Sequence, residues 1–207
     1  MSVKNIRSQF GYTLVELSIG LTVVALVLAG ILSGVSSINN SVNFNRSVQQ
    51  LSDVIGKINK VAKLDTDTTG VTLFNFTRPE YNLFEDFRNL GGGNVATAAA
   101  PTIATASGHE ILLGNNAGPW WSPSQGAKFW KMFINVRGSA CGDYAAILQD
   151  YAEIIDIRDS SGNEERVKGR VVRENGQVEI LTFNSTEVRR WCNMNNSAFL
   201  VLQFNTY

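Results

Sequence analysis

An apolar run of membrane length lies near the start of this chain. From Leu17 to Val35 the residues are apolar or small almost without interruption, and a carboxylate, Glu16, stands directly before them. About 20 consecutive apolar residues are enough for a helix to span a bilayer. Charged residues cost about 2.5 to 3.5 kcal/mol at the bilayer centre on insertion scales, so a carboxylate here needs a partner or a function. The sequence therefore predicts a membrane-length helix with a functional carboxylate at its N-terminal end.

A short polar leader precedes this helix and carries Lys4 and Arg7. In an ordinary secretory signal the cleavage site follows the apolar region, at a small-residue motif. Here the small residue Gly11 stands before the apolar region instead, an order that differs from that of a secretory signal. A plain signal-anchor protein is the alternative. It explains the basic leader by the positive-inside rule but gives no reason for Glu16.

The segment from Gly11 to Glu16, Gly-Tyr-Thr-Leu-Val-Glu, resembles the class III signal of the type IV pilin superfamily. That superfamily includes type IV pilins and the pseudopilins of type II secretion. Its pattern is a Gly, an aromatic or other apolar residue, and then Thr-Leu-Ile-Glu or a close variant. Tyr12 replaces the commoner Phe here, and Val15 replaces the commoner Ile. The resemblance implies that a prepilin peptidase/N-methyltransferase cleaves after Gly11 and methylates the new amino terminus at Tyr12.

The same resemblance implies a role for Glu16 in assembly. After cleavage Glu16 is the fifth residue of the mature chain. In the family its carboxylate meets the terminal amine of an adjoining subunit and so sets the axial register. A pairing within one helix, between Tyr12 and Glu16, is the local alternative because the two residues are four apart.

The chain is predicted to have the α+β pilin fold, a long N-terminal helix packed on an antiparallel sheet. We predict a leader over 1–11, a helix over 12–64 and a sheet body over 65–207. The half of the helix over 12–36 is apolar all round, as a membrane span or filament core requires. Beyond it the pattern narrows to a stripe at helical spacing, made of Phe44, Val48, Leu51, Val54, Ile55, Ile58, Val61 and Ala62. This stripe predicts that the outer half packs against the body.

Seven strand-like segments follow the helix. They cover Val71–Phe76, Glu110–Leu113, Met132–Val136, Glu153–Ile157, Val167–Val172, Val178–Phe183 and Phe199–Phe204. The pair Asn175-Gly176 favours a type I′ hairpin turn, and residues 160–163 form a second turn signal. Three consecutive antiparallel strands are therefore expected between Glu153 and Phe183. Leu90–Ser107 is predicted to be a loop, Tyr144–Tyr151 a short helix, and 65–70 a turn.

The two cysteines, Cys141 and Cys192, have no metal-ligand spacing around them. An anchor inserted from the cytoplasm places the body outside the cell, where disulfides form and persist. We therefore predict that they pair, and two free buried thiols are the alternative. Pilins commonly have a C-terminal disulfide that bounds an exposed loop region, so the pair favours a pilin over a pseudopilin.

The body offers little evidence of other chemistry. The formal charge is zero, which gives no sign of a nucleic-acid surface. The lone His109 is interpreted as solvent-facing or structural. Asp159 with Glu164 and Glu165 allows two interpretations, a calcium loop or a solvated turn, and the turn is favoured. We predict no metal, no cofactor and no enzymatic activity.

The adjacent Trp120-Trp121 pair allows two interpretations. It either anchors an interface or places one ring in the core and leaves one half-covered, and the second is favoured. As an interface it would suit an adhesin-like subunit at a pilus tip.

The predicted function is assembly. A prepilin is expected in the inner membrane as precursor and mature subunit, and afterwards in an extracellular pilus used in adhesion, aggregation or motility. Its expected partners are identical or related pilin subunits, the processing peptidase, the membrane and the inner-membrane assembly machinery. The body size, the leader and the widely spaced cysteines favour a type IVb pilin. A minor pilin or a secretion pseudopilin is the main alternative.

Overall fold

The computed structural model describes most of the chain after the leader. The described residues are 14–64, 71, 73–77, 80–81, 83–91, 102–114, 128–136, 138–159, 161–172, 176–194 and 198–205. The chain divides into two compact units, one ending at Val42 and the other beginning at Asn43. The boundary falls inside the first helix. The predicted turn over 65–70 lies outside the described residues, as does Trp120-Trp121.

The first helix, α1, runs from Leu14 to Ala62 and agrees with the predicted long helix to within a few residues. The apolar stripe of its outer part faces the core of the second unit. Leu51, Val54, Ile55, Ile58 and Ala62 are at most 1% exposed, and Phe44, Val48 and Val61 pack half-buried beside them. The prediction that this part of the helix packs on the body is confirmed.

The described strands form one antiparallel eight-stranded sheet, which with α1 confirms the α+β class. The strands are β1 (Arg88–Asn89), β2 (Ile103–Ala104), β3 (Glu110–Gly114), β4 (Phe129–Val136), β5 (Ile154–Asp159), β6 (Glu164–Val172), β7 (Val178–Leu181) and β8 (Ala198–Asn205). Their spatial order is β1-β2-β3-β4-β8-β5-β6-β7. Three short helices accompany them: α2 (Leu73–Phe76), α3 (Ser139–Leu148) and α4 (Ser185–Met194).

The centre of the sheet is β8, which pairs with β4 on one side and with β5 on the other. Leu200 lies opposite Ile134 of β4 and Ile157 of β5. All three side chains are almost fully buried. A strand that is covered on both faces has a nearly continuous apolar run, and Leu200, Val201 and Leu202 of β8 are all buried.

The predicted antiparallel succession of β5, β6 and β7 is confirmed. The turn between β5 and β6 has Gly162 at φ +92°, where glycine is favoured. Gly169 has φ +111°, and a Cβ added there would lie 2.9 Å from the Glu153 carbonyl oxygen and 3.2 Å from the Cα of Ile154. A glycine is therefore required where β6 passes β5, next to the register shift after Ile155.

Sequence prediction and structure differ at four places. Val71–Phe76 is not a strand, because Leu73–Phe76 forms α2; a six-residue apolar run does not distinguish the two periods. Leu90–Ser107 is not all loop, since Ile103 and Ala104 are fully buried and pair with β3. The predicted helix over Tyr144–Tyr151 begins five residues earlier, at Ser139. Helix α4 was not predicted at all.

Candidate assembly site

The N-terminal part of α1 exposes an apolar surface along its whole length. Its large apolar side chains number fifteen between Leu14 and Val42, and each is more than half exposed. By length and composition, α1 is the one helix of the described residues that is suited to crossing a membrane. Residues 14–42 span roughly 43 Å at 1.5 Å per residue, more than the ~30 Å hydrocarbon core of a bilayer. An apolar surface all round a helix requires lipid or other helices around it.

Glu16 lies in the first turn of α1, and its side chain is exposed. A carboxylate in this position is stabilised by the positive end of the helix dipole. The predicted cleavage residue Gly11 and the predicted methylation residue Tyr12 lie outside the described residues. Their roles therefore remain predictions.

Gly20, Gly30 and Gly34 lie in this exposed part of α1, where the helix is continuous. A Cβ added at any of them would have no atom within 4 Å. Small residues allow a second helix to approach closely in apolar surroundings. These glycines therefore leave space for close helix contacts.

Polar side chains fasten the outer part of α1 to two loops of the body. The Ser47 hydroxyl accepts a 2.9 Å hydrogen bond from the Ser107 amide. Gln50 accepts from the Ala106 amide at 2.9 Å and donates to the Asp86 carbonyl at 2.6 Å. Both side chains are buried, so these bonds are shielded from water. These hydrogen bonds were not predicted from the sequence. A Ser and a Gln on the buried face of a helix do indicate such bonds, because buried polar groups need partners.

His109 joins this contact region. Its Nδ1 lies 3.2 Å from the hydroxyl of Tyr144, which is fully buried and packs 4.9 Å from the Phe44 ring of α1. Desolvation lowers the pKa of His109 below its ordinary value of 6.5. The ring therefore favours the neutral form, which suits the structural interpretation of this histidine.

A second fastening joins α1 to β4. Trp130 is fully buried, donates from Nε1 to Asn59 Oδ1 at 2.9 Å, and stacks on Phe204 of β8 with ring centroids 4.2 Å apart. A buried indole N–H is costly without an acceptor, so Asn59 fixes how the helix sits on the sheet.

The two cysteines form a disulfide between α3 and α4, with a Cα–Cα distance of 5.7 Å. Both are fully buried. Beside the bond, Gly142 lies against Arg189, since a Cβ at that glycine would be 3.0 Å from the arginine Cγ. The two helices are therefore closely packed as well as covalently linked. A sequence signal that could have indicated α4 is Asn184. It is the N-cap of the helix, and its Oδ1 accepts a hydrogen bond from the Thr186 amide at 3.0 Å.

The segment that contains Asp159, Glu164 and Glu165 has the geometry of a hydrogen-bonded turn. The Asp159 carboxylate accepts from the amides of Ser161 and Asn163, both at 2.8 Å. Bonds from the Asn163 side chain and amide lower the pKa of Asp159. Glu164 pairs with Arg158 at 3.5 Å. Among the described residues no three acidic, histidine or cysteine side chains are grouped so that they would hold a metal ion.

Comparison with known families concerns the N-terminal residues. A family model described as the prokaryotic N-terminal methylation motif matches residues 6–32. The chain carries a prokaryotic N-terminal methylation motif. This motif is typical of type IV pilins and pseudopilins, and the long apolar helix fits it, so the resemblance seen at Gly11 to Glu16 is confirmed. No curated protein matches the chain.

The motif supports a precursor of the type IV pilin or pseudopilin kind. It implies processing by a prepilin peptidase and assembly with pilin-type subunits. Motif and apolar helix together fit membrane anchoring of such a precursor. Proteins with this motif are generally structural rather than enzymatic.

Proposed function

We propose that this chain is the precursor of a structural subunit of a type IV pilus, and that it has no enzymatic activity. The observation that carries the proposal is the helix segment Leu14–Val42, whose large apolar side chains are all more than half exposed. This segment overlaps the methylation motif that matches residues 6–32. In the membrane these side chains contact lipid. In the filament they contact the helices of neighbouring subunits, which replace lipid without exposing apolar surface to water.

On this proposal the peptidase cleaves after Gly11 and methylates Tyr12. The Glu16 carboxylate then meets the Tyr12 amine of an adjoining subunit at the N-terminal end of the apolar segment. Two opposite charges in apolar surroundings need each other, because removing one leaves the other buried without compensation. The pairing therefore sets the position at which a new subunit joins.

The first test is mass spectrometry of filaments sheared from the cell surface. We expect this chain as their main component, with methylated Tyr12 at its amino terminus. A chain that keeps Met1 in assembled filaments would contradict the processing. A processed chain that is confined to the membrane or present only in traces would instead favour a pseudopilin or a minor pilin.

The second test compares Glu16→Ala, Glu16→Gln and Glu16→Asp without wild-type subunits. We expect membrane insertion and cleavage in all three, assembly failure in the Ala and Gln variants, and partial assembly in Asp, which retains the charge. The measurement is the ratio of surface filament to processed subunit in the membrane. Normal filaments from the Ala variant would show that the carboxylate is not the determinant of assembly.

A further inference from the structure

A groove of about 520 Å³ lies between β6, β7 and α4 in the second unit. Nothing in the proposed role of the N-terminal segment uses it. Its lining combines carboxylates with apolar side chains. The carboxylates used below are those of Glu165, Glu179 and Glu187, and the apolar side chains are Val171, Ile180 and Trp191. A groove of this mixed kind has the features of a site for a cationic ligand with an apolar stem.

The apolar part of the groove is open to solvent. Ile180 is 76% exposed although it lies in a strand, and Trp191 is half-buried with one side packed on the core. β7 is also an edge strand, so its outer edge has no neighbouring strand among the described residues. Exposed apolar side chains beside a free strand edge mark a surface on which another chain can pack.

Carboxylates dominate the charge around the groove. Its lining holds four glutamates and one cation, Arg166. The Arg166 guanidinium forms an ion pair with Asp156, because it donates to both carboxylate oxygens at 2.8 and 3.2 Å. Of the glutamates, Glu164 pairs with Arg158. The lining as a whole, with four carboxylates against one guanidinium, is therefore net acidic.

A complementary basic surface lies at the outer end of α1 in the same unit. Three lysines follow one another at three-residue intervals: Lys57, Lys60 and Lys63. The backbone amide of Lys63 donates a 3.1 Å hydrogen bond to the Asn59 carbonyl, which continues the helical turn past the end of α1. Lys60 and Lys63 are exposed, while Lys57 pairs with Asp53 at 2.6 Å. At 1.5 Å per residue this lysine row spans roughly 9 Å, which suits a groove of this size.

We propose that the groove of one subunit binds the lysine row of a second copy of this chain. The inference rests on the proposed filament function. The lysine stems would cover Ile180 and Trp191, and their ammonium groups would reach the carboxylates at the rim. Because the two surfaces are different patches, the contact is heterologous and propagates from subunit to subunit, as a filament requires. Charge complementarity selects a second copy as the occupant.

Charge reversal tests the pairing in full-length protein. Glu165→Lys with Glu187→Lys, and separately Lys60→Glu with Lys63→Glu, should each lower filament yield by about tenfold or more, since like charges facing each other cost several kcal/mol. The four changes in one chain should restore yield to within about twofold of wild type. Matched controls are Arg46→Glu on α1 and Glu80→Lys in the body, both at exposed positions, which should assemble normally.

Thermal unfolding of each variant separates assembly from folding. The substituted side chains are exposed, so each variant should fold. Glu187 lies in the first turn of α4 and Lys60 in the last turn of α1, where charge reversal opposes the helix dipole. Each variant should therefore unfold within a few degrees of the wild-type temperature. Wild-type yield from either charge-reversed pair, or failure of the four-change chain to recover while folded, would overturn the inference and leave the filament function intact. Absence of the wild-type chain from surface filaments would overturn the function, and with it the inference.

Carbodiimide crosslinking of filaments identifies the occupant directly. Cells shifted from ¹⁴N to ¹⁵N medium produce filaments of mixed isotopic content. A crosslink between Glu165, Glu179 or Glu187 and Lys60 or Lys63, with one peptide of each isotope, shows that two copies are joined. Crosslinks only within one copy, or from these glutamates to a lysine of another protein, would overturn the assignment of the partner.

Discussion

Removal of the disulfide by the double change Cys141→Ala and Cys192→Ala tests how the second half of the body is held. Alanine is the suitable replacement because both cysteines are fully buried. Serine would add a buried hydroxyl, whose desolvation cost would be mixed with the effect of losing the bond. The change therefore isolates the covalent link between α3 and α4.

The expected loss follows from the length of chain that the bond closes. The two cysteines are 51 residues apart. Loop-closure entropy for such a loop corresponds to about 4 kcal/mol at 25 °C. A change of 1 kcal/mol shifts the melting temperature by about 2 to 4 °C in a protein of this size, so the variant should melt roughly 8 to 16 °C below wild type.

The measurement is thermal unfolding of the processed chain in detergent, monitored by near-ultraviolet circular dichroism with and without reductant. Reduced wild type and the double variant should melt together, and reductant should not change the variant. Limited proteolysis should cut the variant first within 142–191, the loop that the bond closes. Melting temperatures of oxidised wild type and variant within about 2 °C would refute the reasoning, and so would full labelling of both thiols in unreduced, denatured wild type.

Three further predictions concern individual contacts of the body. Trp130→Phe should lower the free energy of unfolding by about 2 to 3 kcal/mol, and a double-mutant cycle with Asn59→Ala should assign about 1 kcal/mol of this to their hydrogen bond; a coupling near zero would contradict it. Gly169→Ala should destabilise by about 3 kcal/mol or more because of its positive φ and the nearby backbone, whereas the control Gly56→Ala, in open helix, should be neutral or stabilising by up to about 1 kcal/mol. Because burial lowers the pKa of His109, the folded state binds fewer protons than the unfolded state as pH falls below 6.5. The stability that neutral His109 contributes is therefore complete above pH 6.5 and is lost as pH falls from 6.5 through the folded pKa. His109→Gln should flatten the pH dependence of denaturant unfolding in that window, and an unchanged slope would contradict the assignment.

Sequence predicted the elements whose composition leaves one solution. The residues of α1 are apolar all round and then apolar on one stripe, a pattern that no strand accommodates, so the long helix was predicted. The central strands were found because they are rich in aromatic and aliphatic residues. Helix α4 escaped because Val188 and Cys192 are the only buried positions in a largely polar segment.

Contacts between distant residues were beyond such reasoning. Nothing local in Arg166 indicates that it pairs with Asp156, because that pairing depends on the register of β5 and β6. The acidic groove likewise exists only once α4 packs beside β6 and β7. The N-terminal motif was recognisable because its chemistry lies in consecutive residues, whereas the groove combines residues from three elements.

The central position of β8 makes the order of synthesis matter. β4 and β5 are both complete before residues 198–205 have been made, yet each leaves one edge unpaired until β8 arrives between them. Until β8 is in place the body therefore has two open strand edges that can pair with each other or with another chain. Because β8 pairs with β4 across more than sixty residues of chain, its insertion is a non-local and comparatively slow event. A chain stalled before that event would have a complete N-terminal helix and an incomplete sheet. The exposed edges of β4 and β5 would distinguish it from a completed chain.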